Sequence, residues 1–298
     1  MGLLDGRVAI VTGAGRGLGR AHALALAAEG AAVVVNDLDA GLDGRATGGS
    51  AAHRVVDEIT AAGGTAVADS GSVSDWEACA ATVARAIDEF GGLDIVVNNA
   101  GVTRDRMLTS ASEADLDVTL DVHVKGTFAM SHHACRYWRQ RFKEGTPVSG
   151  RVINTTSGAG MYGNPGQTPY ATAKAAIIGF TQSLALEARR YQVCVNAISP
   201  LALTRMTETY LAGLSEKDTR KLDPANASGL VAYLASAEAG WLTGQVLRVE
   251  GRRIIRMHGW SMGEDYTSRE PGVLQPEELV EAVPVLFGVA PRGLAGAK

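Results

Sequence analysis

Short runs of β-branched and aliphatic residues recur along roughly the first 250 positions, each followed by a longer Ala- and Leu-rich segment with helical spacing of its apolar positions. Continuous apolar runs of this length fit strands buried on both faces, and the longer segments fit helices packed against them. The pattern predicts strands at 7–11 (RVAIV), 31–36 (AAVVVN), 93–98 (LDIVVN), 150–155 (GRVINT), 193–199 (VCVNAIS) and 245–250. Helices are predicted at about 17–29, 51–61, 74–90, 112–141, 170–190 and 225–236. Such alternation implies an α/β fold: a single doubly wound, parallel, Rossmann-type sheet over 1–251. Two stretches depart from it. The connection 38–50 (LDAGLDGRATGGS) is longer than most βα loops, and 252–298 forms a C-terminal extension, expected to pack on the same domain or on a dimer partner. Within that extension RRIIRM can extend the last strand as a hairpin, and PEELVEAVPVLF can form a short helix.

Composition removes several classes of function. The 298 residues are 46% hydrophobic, which excludes disorder, and the net charge of −4 offers no general attraction to nucleic acid or anionic lipid. Neither a nucleic-acid partner nor membrane insertion is expected. Cys79, Cys135 and Cys194 lack any metal-ligand spacing and read as small core residues of a reducing compartment, with no metal site. There is no leader-like amino terminus and no apolar run of about 18 residues, and Gly6 stands where a myristoylation motif needs Ser or Thr. A cytoplasmic protein is expected.

The candidate chemistry clusters where strands end. VTGAGRGLGR follows the first strand and opens the first helix, where outward-pointing N–H groups and the helix dipole suit a pyrophosphate once side chains are removed. Gly13, Gly17 and Gly19 remove them, in a TGxxxGxG spacing rather than GxGxxG. Asp37 ends the second strand, where a carboxylate accepts hydrogen bonds from the adenosine ribose and repels a 2′-phosphate. Arg16 argues the other way, but Asp37 would sit against the ribose itself, so NAD is expected over NADP.

In YATAK (170–174), Tyr170 and Lys174 are four apart and share one helix face. A free phenol has a pKa near 10; bringing it to about 7 takes roughly 4 kcal/mol, which a nearby ammonium and a nicotinamide cation are expected to supply. Ser157, in TTSGAG after the strand GRVINT, is placed to hydrogen-bond a substrate oxygen shared with Tyr170, with Thr155 and Thr156 as neighbouring rivals. NNAG (98–101) puts small residues at another strand end, where a cofactor can approach.

Together TGAGRGLG, NNAG, Ser157, YATAK and ISP (198–200) resemble, in order, the motifs of the short-chain dehydrogenase/reductase superfamily over about residues 1–250. The resemblance implies an NAD-dependent oxidoreductase. Tyr170 would be the catalytic acid/base, Lys174 would lower its pKa and hold the nicotinamide ribose, and Ser157 would orient the reacting oxygen. It places the cofactor against Gly13, Arg16, Gly17, Leu18, Gly19, Asp37, Ser72, Val73, Asn99, Ala100, Gly101, Tyr170, Lys174 and Pro200. Three positions depart from the family pattern. His123 stands where a water-holding Asn is usual, and is either a proton relay titrating near neutrality or a packed ring. Leu201 replaces a usual Gly after Pro200. Gly71 falls where an acid often caps the adenine, leaving Ser72 and Val73 as the contacts.

A narrower resemblance runs through the long glycine loop, NNAGVTRDRMLT, DVHVKGTF and SGAGMYGNPGQTPYATAK, which look like the dehydrogenase unit of peroxisomal multifunctional enzymes of type 2. That implies oxidation of (3R)-3-hydroxyacyl-CoA thioesters with NAD. A hydroxysteroid dehydrogenase, a 3-ketoacyl reductase, or an idle nucleotide-binding scaffold are the alternatives. Small and apolar residues on 112–141 and 170–190 suggest pairing into a homodimer or homotetramer. The segment after Pro200 (TRMTETYLAGLSEKDTRKL) is expected to cover substrate, with Met206, Tyr210, Leu211 and Leu214 over an acyl chain and Arg205 at a CoA phosphate.

Overall fold

A computed structural model describes residues 2–39, 50–202, 222–259, 262–267 and 275–287. Residues 40–49 of the long loop, and the segment with Arg205, Met206, Tyr210, Leu211 and Leu214, therefore lie outside the described residues. The chain divides into two compact units, 1–257 and 258–298.

The first unit is built on one sheet of eight strands: β1 (Val8–Thr12), β2 (Ala32–Asn36), β3 (Thr65–Asp69), β4 (Ile95–Asn98), β5 (Arg151–Thr155), β6 (Cys194–Leu201), β7 (Val246–Glu250) and β8 (Arg253–Met257). Their order is β3-β2-β1-β4-β5-β6-β7-β8, parallel except for the antiparallel hairpin β7-β8. β1, β4 and β5 are buried at every position, as continuous apolar runs require when helices cover both faces. One face carries α1 (Gly17–Ala28), α2 (Ala51–Ala61) and α8 (Ala225–Ala235); the other carries α3 (Trp76–Phe90), α5 (Gly126–Lys143) and α7 (Thr168–Ala188). The second unit contains α9 (Pro276–Phe287), with Tyr266 donating to Glu278 at 2.8 Å.

Every expected strand and helix that falls in described residues is present, within about two residues at most ends, and RRIIRM does form the hairpin strand. Three local features depart from the sequence reading. β3 has no counterpart in it, because TAVAD is short, half-buried and rich in Ala, a weak strand former. A second is the five-residue helix α6 (Gly158–Tyr162), whose two glycines hide it from propensity and whose start is capped by Ser157. The third is the single helix expected over 112–141. It is α4 (Glu113–Leu120), a π turn (Asp121–Lys125) and α5 in succession. The π turn carries His123 into the interior, where its Nε2 lies 2.7 Å from the Val102 carbonyl. Bulges of this kind re-aim one side chain at the cost of one residue of helical register.

Strand order reverses between β1 and its two neighbours, β2 on one side and β4 on the other. The connections leaving β1 and β4 diverge there, which opens a crevice at the carboxyl ends of the strands.

Candidate active site

The glycine loop lies at that crevice. Gly13 and Gly17 have φ of +62° and +53°, a left-handed conformation that an L side chain resists. Asn99 fastens the loop from β4: its Nδ2 donates to the Thr12 and Gly13 carbonyls at 3.0 and 3.2 Å. The Thr12 hydroxyl accepts from the N–H groups of Asn99 and Ala100 at 3.0 and 3.1 Å. A Cβ on Gly19 would lie 2.1 Å from the Gly13 carbonyl oxygen, so only hydrogen lets α1 approach this closely. At the helix start Arg16 makes no side-chain cap and no acid occupies the first turn, leaving the N–H groups and dipole for an anion.

Asp37 Oδ2 accepts from the Gly15 N–H and Oδ1 from the Asp39 N–H, both at 2.7 Å. An ionised carboxylate has about four acceptor sites, so a pair remains for ribose hydroxyls. Arg16, whose side chain is 36% exposed, is held by an acid. Its Nη2 lies 2.5 Å from Asp39 Oδ1, an ion pair that draws the loop's cation toward a second acid. The geometry fits a dinucleotide: cradle, helix start and carboxylate lie on one path. Further along, Asp69 stands two residues before Gly71; its Oδ1 accepts from Gly71 N–H, Asn36 Nδ2 and Thr82 Oγ1. An acid is thus present near the adenine position, but it is spent on holding the β3 end. Ser72 bonds Ser74 at 2.8 Å, and Val73 packs so tightly on Gly126 that a Cβ there would come within 2.9 Å.

The second cluster surrounds Tyr170. Ser157 hydrogen-bonds the Tyr170 hydroxyl, and its Oγ also accepts from Ala159 N–H at 3.2 Å. Thr155 and Thr156 are separated from Ser157 by role. The Thr155 carbonyl accepts from Lys174 Nζ at 2.7 Å, and Thr156 Oγ1 donates to the Lys174 carbonyl at 2.7 Å. Lys174 Nζ lies 5.5 Å from the Tyr170 ring centroid. His123 meets the same ring edge-to-face at 5.4 Å and 82°. A Cβ on Gly101 would come within 2.5 Å of the imidazole.

Burial dominates the electrostatics. It pushes the Tyr170 phenol up to about 12 despite the hydrogen bond from Ser157, with Asp105 adding to the rise, and lowers Lys174 to about 7. His123 is held well below its usual range by burial and by Lys174, so the expected titration near neutrality is not found. The ring is neutral and buried, with Nδ1 unbonded among the described residues. Burial also raises the starting point from which the phenol must be lowered. From about 12 down to 7 is roughly 7 kcal/mol.

Pro200 and Leu201 end β6, with Leu201 opposite Glu250 of β7. Sequence reasoning missed Thr12, Asp39 and Asp105. A second acid two residues after Asp37 was a readable signal, whereas Asp105 is recognisable only through its bond from Gln167 Nε2 (3.0 Å), just ahead of α7.

The short chain dehydrogenase family model matches residues 7–214. Hydroxyacyl-CoA dehydrogenase ChsB1 of Mycobacterium tuberculosis is 45% identical over 260 residues, covering 84% of this chain and 79% of its own. Peroxisomal multifunctional enzyme type 2 of Drosophila melanogaster is 44% identical over 250 residues, covering 80% of this chain and 40% of that protein. Among solved structures, a short chain dehydrogenase from Mycobacterium avium matches with a TM-score of 0.89 at 51% identity, over 99% of this chain and 100% of that one.

Proposed function

The chain belongs to the short chain dehydrogenase family, and from that premise we propose that it is an NAD-dependent dehydrogenase of (3R)-3-hydroxyacyl-CoA thioesters. The observation that carries the chemistry is the hydrogen-bonded pair Ser157–Tyr170 with Lys174 beneath it. The acyl-CoA class is supported by the relatives, whose names specify a hydroxyacyl-CoA dehydrogenase and the type 2 multifunctional enzyme.

Tyr170 Oη takes the substrate hydroxyl proton while Ser157 Oγ hydrogen-bonds the same oxygen, fixing the carbinol carbon toward the cofactor face. An oxidised nicotinamide, if held there by the glycine loop and Asp37, would supply the hydride acceptor and a positive charge beside the phenol. Lys174, held on the Thr155 carbonyl, adds a positive charge beside the phenol when protonated. Neutral His123 braces the Tyr170 ring, a positioning role rather than a relay.

The preference for NAD rests on Asp37 and on Arg16 being paired with Asp39. NAD is expected to give at least about tenfold higher kcat/KM than NADP, one charge-assisted contact being worth about that much. In Asp37→Ala the ratio should narrow toward one. Equal or better kinetics with NADP in the unaltered protein would remove Asp37 from the ribose.

Association is expected through α5 and α7, where Phe128 is 49% and Leu186 is 80% exposed and the Phe128 ring lies 5.5 Å from Phe180, tilted by 49°. Light scattering should give at least a dimer at micromolar concentration. A monomer would contradict the pairing. Unpaired Cys79, Cys135 and Cys194 suit a reducing compartment such as the cytoplasm.

A further inference from the structure

β7 is an interior strand, yet it carries a guanidinium. Side chains alternate across a sheet: Val249 joins the core beneath α8, so Arg248 and Glu250 face the opposite side, that of α6 and α7. Arg248 Nη1 lies 2.7 Å from where a Cβ on Gly158 would stand, and Gly158 directly follows Ser157. Arg248 Nε donates to Glu250 Oε1 at 2.5 Å. Across the hairpin Arg253 is opposite Glu250, its Nη1 at 3.9 Å from Oε2, and exposed Arg252 occupies the turn between them. A ladder of polar groups therefore leads from the catalytic loop to solvent. Side-chain exposure rises along it from 23% at Arg248 to 75% at Arg253.

Charges on an edge strand commonly prevent edge-to-edge pairing, and that accounts for Arg256, which is exposed opposite Leu247. It does not account for Arg248, which is not on an edge. Nor does one carboxylate balance three guanidiniums, in a chain whose net charge is −4. We propose that this hairpin is the coenzyme-A rim of the site: pantetheine amides lie along Arg248 and Glu250, and the phosphates of the adenosine end are bound by Arg252 and Arg253. The assignment rests on the acyl-CoA reading above. It would give the phosphate contact to this hairpin instead of to Arg205. Guanidinium forks suit phosphate oxygens, and their exposure makes the contact salt-sensitive.

The test compares a 3-hydroxyacyl-CoA with the same acyl group on pantetheine, in the unaltered protein and in Arg252→Ala/Arg253→Ala. The double variant should raise KM for the CoA thioester about tenfold and abolish its salt dependence, while KM for the pantetheine thioester changes less than about twofold. Equal effects on both thioesters, or none on either, would overturn the rim. If the unaltered protein turns over neither thioester, the functional reading falls separately, and the rim is then decided by adenosine 3′,5′-bisphosphate binding at saturating NAD. Calorimetric binding that the double variant loses upholds the anion site; no binding to the unaltered protein removes it.

Discussion

Tyr170→Phe is expected to lower kcat by about 10²- to 10⁴-fold while NAD affinity changes little, the range that follows from removing a positioned general base. The phenyl ring can keep its edge-to-face contact with His123 at 5.4 Å, so the variant isolates the hydroxyl from the packing. Loss should appear in kcat and kcat/KM together, since the proton is transferred only in the reacting complex. Steady-state rates at 340 nm with NAD titration by fluorescence measure both quantities. Turnover within a few fold of the unaltered enzyme would take Tyr170 out of the mechanism.

Lys174→Met should cost nearly as much activity, about 10²- to 10³-fold, because the nearest cation to the phenol is removed. Stability should move the opposite way. Lys174 is buried and its pKa is lowered from 10.5 to about 7. Between those values the unfolded chain binds a proton that the folded chain does not, so the lysine's penalty shrinks as pH rises from about 7 toward 10.5. Lys174→Met removes that titration. Its thermal midpoint should exceed that of the unaltered protein near pH 7, with the gap narrowing through pH 9 and closing only toward pH 10.5. A gap independent of pH would mean that Lys174 is not neutralised by burial. The contact from Nζ to the Thr155 carbonyl, 2.7 Å, is lost in either case and sets a constant offset.

Much of this was legible in the chain because the relevant signals are local. Apolar runs with helical segments between them located β1, β2, β4, β5, β6 and β7, and YATAK placed Tyr170 one turn from Lys174 on α7. What escaped depends on tertiary context. β3 is held by pairing to β2, with Asp69 opposite Asn36 and bonded to it, and TAVAD carries little strand preference of its own. The π turn at Asp121–Lys125 reflects the bond of His123 to Val102, invisible in a sequence that reads as continuous helix. The burial of Tyr170 and Lys174 was not legible for a related reason. Spacing shows that two groups meet, but the direction in which burial drives each is fixed by the residues packed around them. Arg16 is the same kind of case: its partner Asp39 lies 23 positions away.

The central claim, a hydride-transferring site selective for the (3R) alcohol of a CoA thioester, is tested most directly by one comparison. Initial rates of NADH formation at 340 nm are measured with the (3R) and the (3S) forms of one 3-hydroxyacyl-CoA at equal concentration. Ser157 and Tyr170 grip a single oxygen beside one cofactor face, so the account predicts NADH from the (3R) form and at least about 10²-fold less from the (3S) form. Equal rates with both, a preference for (3S), or no NADH from either would contradict it.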